Sequence, residues 1–345
     1  AGIAWYHPHT RDDYGQEMGL YGNYIVDSQD ENYWSKVNRE APLIIDDILV
    51  ENNEIQTFFK EFTNHALLGR LGNEFLVNGS SDYSMDVEKG EVIRLQLTNA
   101  SNARTYRLGM PGASMKVVGA ELSRYELETF QDEILISPAE RLVVEVYFAK
   151  SGKIKLENRM KNSKVTIAEF DVSESEVAES FKEQFNTARR DESLSDTFKE
   201  MRTFMGKTPD KRLKLTVALQ GNVDHSAHAH GAATGGAAMA GHDMSTMDPN
   251  VDHSAMMAMM QATSIDNIEW GEGVSADAVN TTKNVEWMII DEATGKKSME
   301  IPVTDWTFKQ GQLVKIRITN DMMAAHVMQH PIHLHGPRSV VLSEN

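Results

Sequence analysis

The segment KGEVIRLQLTN, residues 89–99, decides the fold class of this 345-residue chain, because QGQLVKIRITN at 310–320 repeats its design. Aligned at a constant offset, Gly90 faces Gly311 and the closing Thr-Asn pairs coincide. Ile93, Leu95 and Leu97 correspond to Val314, Ile316 and Ile318, with polar residues between them. Side chains two apart on an extended strand share a face, so each segment is expected to be a strand that buries one face. The same signal recurs in EILIS (133–137), LVVEVYF (142–148) and RLKLTVAL (212–219), separated by Gly and Asn. The expected architecture is therefore all-β, with two halves built as copies of one β-domain.

Between the copies the composition changes. SESEVAESFKEQFNTARRDESLSDTFKEMRTFM, from residue 173, opens with the spacing Ser173-x-x-Glu176 of a capping box. Val177, Phe181 and Phe185, then Phe198, Met201 and Met205, recur at helical intervals, which predicts one or two amphipathic helices. Residues 222–260 carry five His and seven Met among Ala, Gly, Ser and Asp. So few core-forming side chains predict a disordered insertion.

Composition narrows the function classes. A net charge of −17 excludes an ordinary nucleic-acid binder, which needs clustered Lys and Arg to displace counterions from phosphate. It suits cationic partners, although many acidic proteins are acidic only for solubility. No apolar run approaches the roughly 18 residues of a membrane span. With no Cys, the chain can build neither a disulfide nor a thiolate site.

The chemistry lies in the histidines. HPIHLHG places His330, His333 and His335 in the spacing H-x-x-H-x-H, and WYHPH places His7 and His9 two apart around Pro8. Neutral imidazole is the commonest protein ligand for transition metals, and in HLH the two rings project to one side of an extended strand. Pro8 suits a strand end, since proline cannot donate to a ladder. An isolated His-x-His is ordinarily a surface pair without a role; here there are two, one of them extended. Zinc sites of the structural kind are usually closed sets that include Cys. His65 and His326 match no ligand pattern, and the pairs Asp12-Asp13 and Asp46-Asp47 are expected in solvated turns.

Three stretches resemble the multicopper oxidase family, of the three-cupredoxin-domain, copper-tolerance or laccase-like type. WYHPHTRDDYGQEMGLYGNYIV (5–26) resembles the end of its first cupredoxin domain, and GRLGNEFLVNG (69–79) its second-domain signature. TDWTFKQGQLVKIRITND (304–321) followed by HPIHLHG is similar to its third domain. The resemblance implies cupredoxin-like Greek-key β-sandwiches: 1–37 as the end of the first domain, 38–172 as a copper-free second domain, 173–211 as a helical linker and 212–345 as an incomplete third domain.

It also implies copper of types 1, 2 and 3. His7 and His9 would be type 3 ligands, His330 a type 1 ligand, His333 a type 2 ligand and His335 a type 3 ligand. The family's first motif would lie before Ala1 and its last, with the one required Cys, after Asn345, so an internal fragment, inactive by itself, is expected. A blue-copper centre needs a His, His, Cys set, which these residues lack.

The implied reaction couples one-electron oxidation of Cu(I) or another small reducing substrate to four-electron reduction of dioxygen to water, in the periplasm or outside the cell. Met sulfur suits Cu(I) and imidazole Cu(II), so the His/Met-rich insertion favours metal-ion oxidation over a phenol-oxidising laccase. A non-catalytic copper scavenger of the same fold is the alternative.

Overall fold

The computed structural model describes residues 1–57, 70–160, 163–219, 285–297, 306–321, 330, 332 and 339–343. They fall into two compact units, the first from Ala1 to Ser195 and the second from Asp196 onward.

In the first unit, two sheets face each other. One has the order β11 (Ser123–Gln131), β10 (Ser114–Ala120), β13 (Arg141–Tyr147), β8 (Val92–Asn99), β3 (Arg39–Ile48) and β6 (Glu74–Val77). The other has the order β12 (Ile134–Ile136), β9 (Tyr106–Gly109), β14 (Gly152–Arg159), β15 (Lys164–Glu176) and β7 (Ser84–Lys89). Leu43, Ile45, Ile93, Leu95, Leu97, Val144 and Val146 from the first sheet meet Leu108, Leu156 and Phe170 from the second in one core. Most neighbours are antiparallel, but β3 runs parallel to β8 and β7 to β15, which requires long crossovers rather than hairpins.

Turn chemistry sets the short connections. Asn78 and Gly79 take φ of 51° and 81°, the left-handed pair that a two-residue hairpin needs, and Val77 and Ser80 exchange backbone hydrogen bonds across it. Asn78 also accepts from Ile44 N and donates to Pro42 O, so the turn after β6 clips onto β3.

A ribbon of β1 (Gly2–Tyr6) and β2 (Gly22–Val26) packs against this sandwich. Ile3, fully buried, meets Val118 and Val143, with Ile25 and Trp34 beside them. The ribbon and the segment after it change what β8 is. Its apolar face lies in the core as the period-two pattern predicts, but Arg94, Gln96 and Thr98 on the other face are buried too, at 3%, 5% and 0% exposure. Thr98 donates to Asn23 Oδ1 at 2.7 Å, Gln96 to Glu40 Oε2 at 3.2 Å and Arg94 to Ser35 O, with Trp34 under the guanidinium. Those side chains are long or polar because each must find a partner where water cannot reach.

The second unit shows a sheet of β17 (Val285–Asp291), β16 (Lys211–Leu219) and β18 (Ile316–Asn320). Its central pairing repeats that of the first unit. Leu43 lies opposite Leu97 and Ile45 opposite Asn99, as Leu213 lies opposite Ile318 and Leu215 opposite Asn320, both pairs parallel. The next amide closes each in the same way, Ala100 N to Ile45 O and Asp321 N to Leu215 O. Gly90 and Gly311 both have positive φ, 90° and 80°. Burial is not repeated: Ile318 is 38% exposed, against the expected buried face, because the described strands of this unit make a single sheet.

Three further expectations are corrected. Ser173 and Glu176 do not cap a helix; they end β15, where Glu176 lies opposite Lys89 on β7 and pairs with its ammonium at 2.9 Å. The parallel neighbour supplies hydrogen bonds that outweigh the local capping signal. The helices that follow are short, α2 (Lys182–Asn186) and α3 (Glu192–Arg202); Phe185 is buried, but α3 buries no side chain. Asp46 and Asp47 occupy no solvated turn: both are buried in β3. Residues 222–260, His65, His326, His333 and His335 lie outside the described residues.

Candidate metal centre

Strand β1 ends at Tyr6, and His7, Pro8 and His9 follow where proline no longer breaks a ladder. The two imidazoles project together: their centroids are 4.8 Å apart and their planes 29° from parallel. Trp5 stacks on His7 at 4.5 Å, also at 29°. His7 therefore stacks with both an indole and a second imidazole, at centroid distances where flat rings attract.

The hydrogen bond of His7 indicates which ring nitrogen is open to a metal. Its Nδ1 lies 3.2 Å from Pro8 O, and since a carbonyl only accepts, Nδ1 carries the proton and Nε2 the lone pair. A ring N–H tied to a carbonyl with the other nitrogen free is the arrangement that metal-bound imidazoles adopt. His330, in the second unit, is half-buried, and burial pulls its basicity below the ordinary histidine range; the neutral, ligating form is favoured. Both observations fit copper, for which imidazole is a suitable donor. Among the described residues no cluster of three or more His, Cys, Asp or Glu forms a complete metal site.

After the histidine pair comes α1 (Asp12–Gly15), a single turn begun by Asp12 and Asp13. Gly15 packs on Pro8 so closely that a methyl group there would meet Pro8 Cγ at 2.8 Å. The chain then enters a buried polar knot that the sequence reading missed. Glu17 pairs with Arg70 and accepts from Asn102, Arg70 donates to Asp47 O at 3.0 and 3.1 Å, and Asp47 accepts from Arg104 Nε at 2.8 Å and from Gly72 N. Gln16 donates to Ala100 O and Tyr21 to Asp46 Oδ2, at 2.8 and 2.6 Å. Gly72 is required here, since a methyl group would meet Ile48 N at 2.5 Å.

Burial pushes Glu17 up to about 7, against the opposing pull of Arg70, and Asp46 up to about 6. It also raises Tyr21, which stays a donor. One signal could have exposed the knot: two acids inside the apolar run LIIDDILV (43–50) are either strand-breaking or buried with cations, because unpaired carboxylates are almost never buried.

The facing sheets with parallel crossovers define a cupredoxin-like, all-β sandwich. Residues 27–154 match the multicopper oxidase family model. The multicopper oxidase mco of Staphylococcus aureus is 30% identical over 167 residues, 45% of this chain and 35% of that one. The cell division protein FtsP of Photorhabdus laumondii is 27% identical over 161 residues, 45% of this chain and 33% of that one. The chain thus spans about a third of the length of the curated relatives it matches. Among solved structures, a multicopper oxidase from Pseudomonas thermotolerans covers 63% of this chain and 49% of its own at 21% identity, with a TM-score of 0.48. The McoA multicopper oxidase of Aquifex aeolicus covers 62% and 48% at 25% identity, also with a TM-score of 0.48.

Proposed function

We propose that this chain supplies imidazole ligands to the copper centres of an oxidase that couples one-electron oxidation of a small reductant, Cu(I) or another metal ion, to reduction of dioxygen to water. Four electrons and four protons are consumed for each dioxygen, and two waters leave. The observation that carries the reading is the His7–His9 pair, stacked, with Nε2 of His7 left free by its Nδ1–H bond to Pro8 O.

In this reading His7, His9, His330, His333 and His335 hold copper, which supplies one-electron exchange between Cu(I) and Cu(II). The middle domain, 38–172, is copper-free: its one histidine is His65. The His/Met-rich segment 222–260 gathers copper for the oxidase, and the protein works in the periplasm or outside the cell. The S. aureus relative bears the name of a multicopper oxidase, which supports the oxidase; FtsP bears that of a cell division protein, which keeps a non-catalytic copper-binding role as the second reading.

Titrating the purified chain with Cu(II), with nitrogen couplings followed by electron paramagnetic resonance, tests ligation. Replacing both histidines, His7→Gln with His9→Gln, is expected to weaken binding by at least the roughly 10–100-fold that loss of a supporting partner costs. An unchanged isotherm and spectrum would remove the copper reading. Oxygen uptake by the natural gene product with Cu(I) as reductant separates the oxidase from the scavenger.

A further inference from the structure

We propose that Trp5 and Tyr21 are positioning residues for the histidine pair, holding the His7 ring from the buried carboxylate of Asp46 on β3. The proposal rests on the copper reading above, and extends it to residues that touch no metal.

The contacts form one continuous path within the first unit. Asp46 is 5% exposed in β3, with Oδ1 fixed by Asp47 N at 2.8 Å. Its Oδ2 accepts from the Tyr21 hydroxyl at 2.6 Å, a short bond of the charge-assisted kind when the acid is ionised. The Tyr21 ring meets Trp5 at 6.3 Å, tilted by 52°, and Trp5 stacks on His7, which stacks on His9. Gly15 admits the Pro8 ring at a distance where any side chain would collide.

The arrangement answers a problem set by the local sequence. His7 lies just past the last residue of β1, where ladder hydrogen bonds cease, and its single described side-chain hydrogen bond, to Pro8 O, leaves the ring free to tilt about that contact. A ligand must be held within about 0.5 Å and 10–20° of its working geometry by neighbours that are themselves locked. An indole face at 4.5 Å restricts the tilt, and the indole is restrained in turn by a tyrosine whose hydroxyl is anchored in the sandwich. The middle domain thus orients a histidine carried by another element without contributing a ligand.

Three variants of the full chain test this: Trp5→Leu, Trp5→Phe and Tyr21→Phe. The first readout needs no copper. In the metal-free protein the His7 ring protons, assigned by their loss in His7→Gln, carry the ring-current shift of Trp5. Trp5→Leu should move them toward free-imidazole positions, Tyr21→Phe should move them part of the way, and Trp5→Phe should retain most of the shift.

The second readout is Cu(II) alone: affinity should fall roughly 10–100-fold in Trp5→Leu and Tyr21→Phe, as for other supporting partners, and largely recover in Trp5→Phe. Ring protons that stay put, or affinities equal to the parent in both weakened variants, overturn the proposal. If Trp5→Leu loses its sheet spectrum, Tyr21→Phe decides in the same way, since it keeps the ring and removes one hydroxyl. Should the parent bind Cu(II) no better than the double His7→Gln, His9→Gln variant, the copper reading falls and this one with it.

Discussion

Glu17 shows how a single side chain can make stability depend on pH. Burial raises its carboxyl from 4.5 to about 7 although Arg70 pairs with it. The folded state therefore holds a proton that the unfolded chain has released across that interval. The resulting stabilisation is fully present below pH 4.5 and is lost as pH rises through about 7. Asp46, raised from 3.8 to about 6, acts with the same sign. In Glu17→Gln, whose amide still accepts from Arg70, the fall in urea midpoint between about pH 5 and about pH 8 should shrink, by at most about 3 kcal/mol in free energy. A midpoint with the same pH slope in parent and variant would show that Glu17 titrates normally.

Among the elements, β8 shows what an alternating pattern leaves open. Ile93, Leu95 and Leu97 announce a strand and its core face, but Arg94 on the other face is legible only once β13 is set beside it. There Glu145, fully buried, meets Arg94 Nη2 and Lys116 Nζ, each at 3.1 Å. Lys116 is fully buried as well and pairs with Glu128 at 3.2 Å. It also donates to Gln184 O and Thr187 O at 3.3 and 3.2 Å, fastening α2 to the sheet. Lys116→Met leaves two buried carboxylates short of a cation, and is expected to cost about 3–5 kcal/mol in chemical denaturation. Lys153, 62% exposed beside Glu169 and Asp171, is the control: Lys153→Met should cost under about 1 kcal/mol, since exposed pairs contribute little. Equal costs would mean that the inner network is solvated.

For the whole molecule, the repeated pairing of β3 with β8 and of β16 with β18 supports a duplicated domain plan, with the first copy complete enough to stand alone. It has facing sheets, one continuous core and helix α2 tied down by Lys116. Residues 1–195 expressed by themselves are therefore expected to give a β-sheet circular dichroism spectrum and one cooperative urea transition. A broad, non-cooperative loss of signal would show that this unit depends on the rest of the chain.

The sequence by itself determined the all-β class, the strands within 89–99, 133–137, 142–148 and 212–219, the shared design of 89–99 and 310–320, and the histidine pair at 7 and 9, because each is written in spacings of two to a few residues. The structure adds that each copy pairs in parallel with a strand outside the repeat, behind a glycine of positive φ. Tertiary structure decided the rest. Ser173 and Glu176 read as a helix start, but β7 captured them as strand; Asp46 and Asp47 read as a turn, but Arg104 and Tyr21, distant in sequence, draw them inside. Whether a polar residue faces water depends on which segment covers it. That choice is made by charges and rings dozens of residues away, beyond the reach of any local pattern.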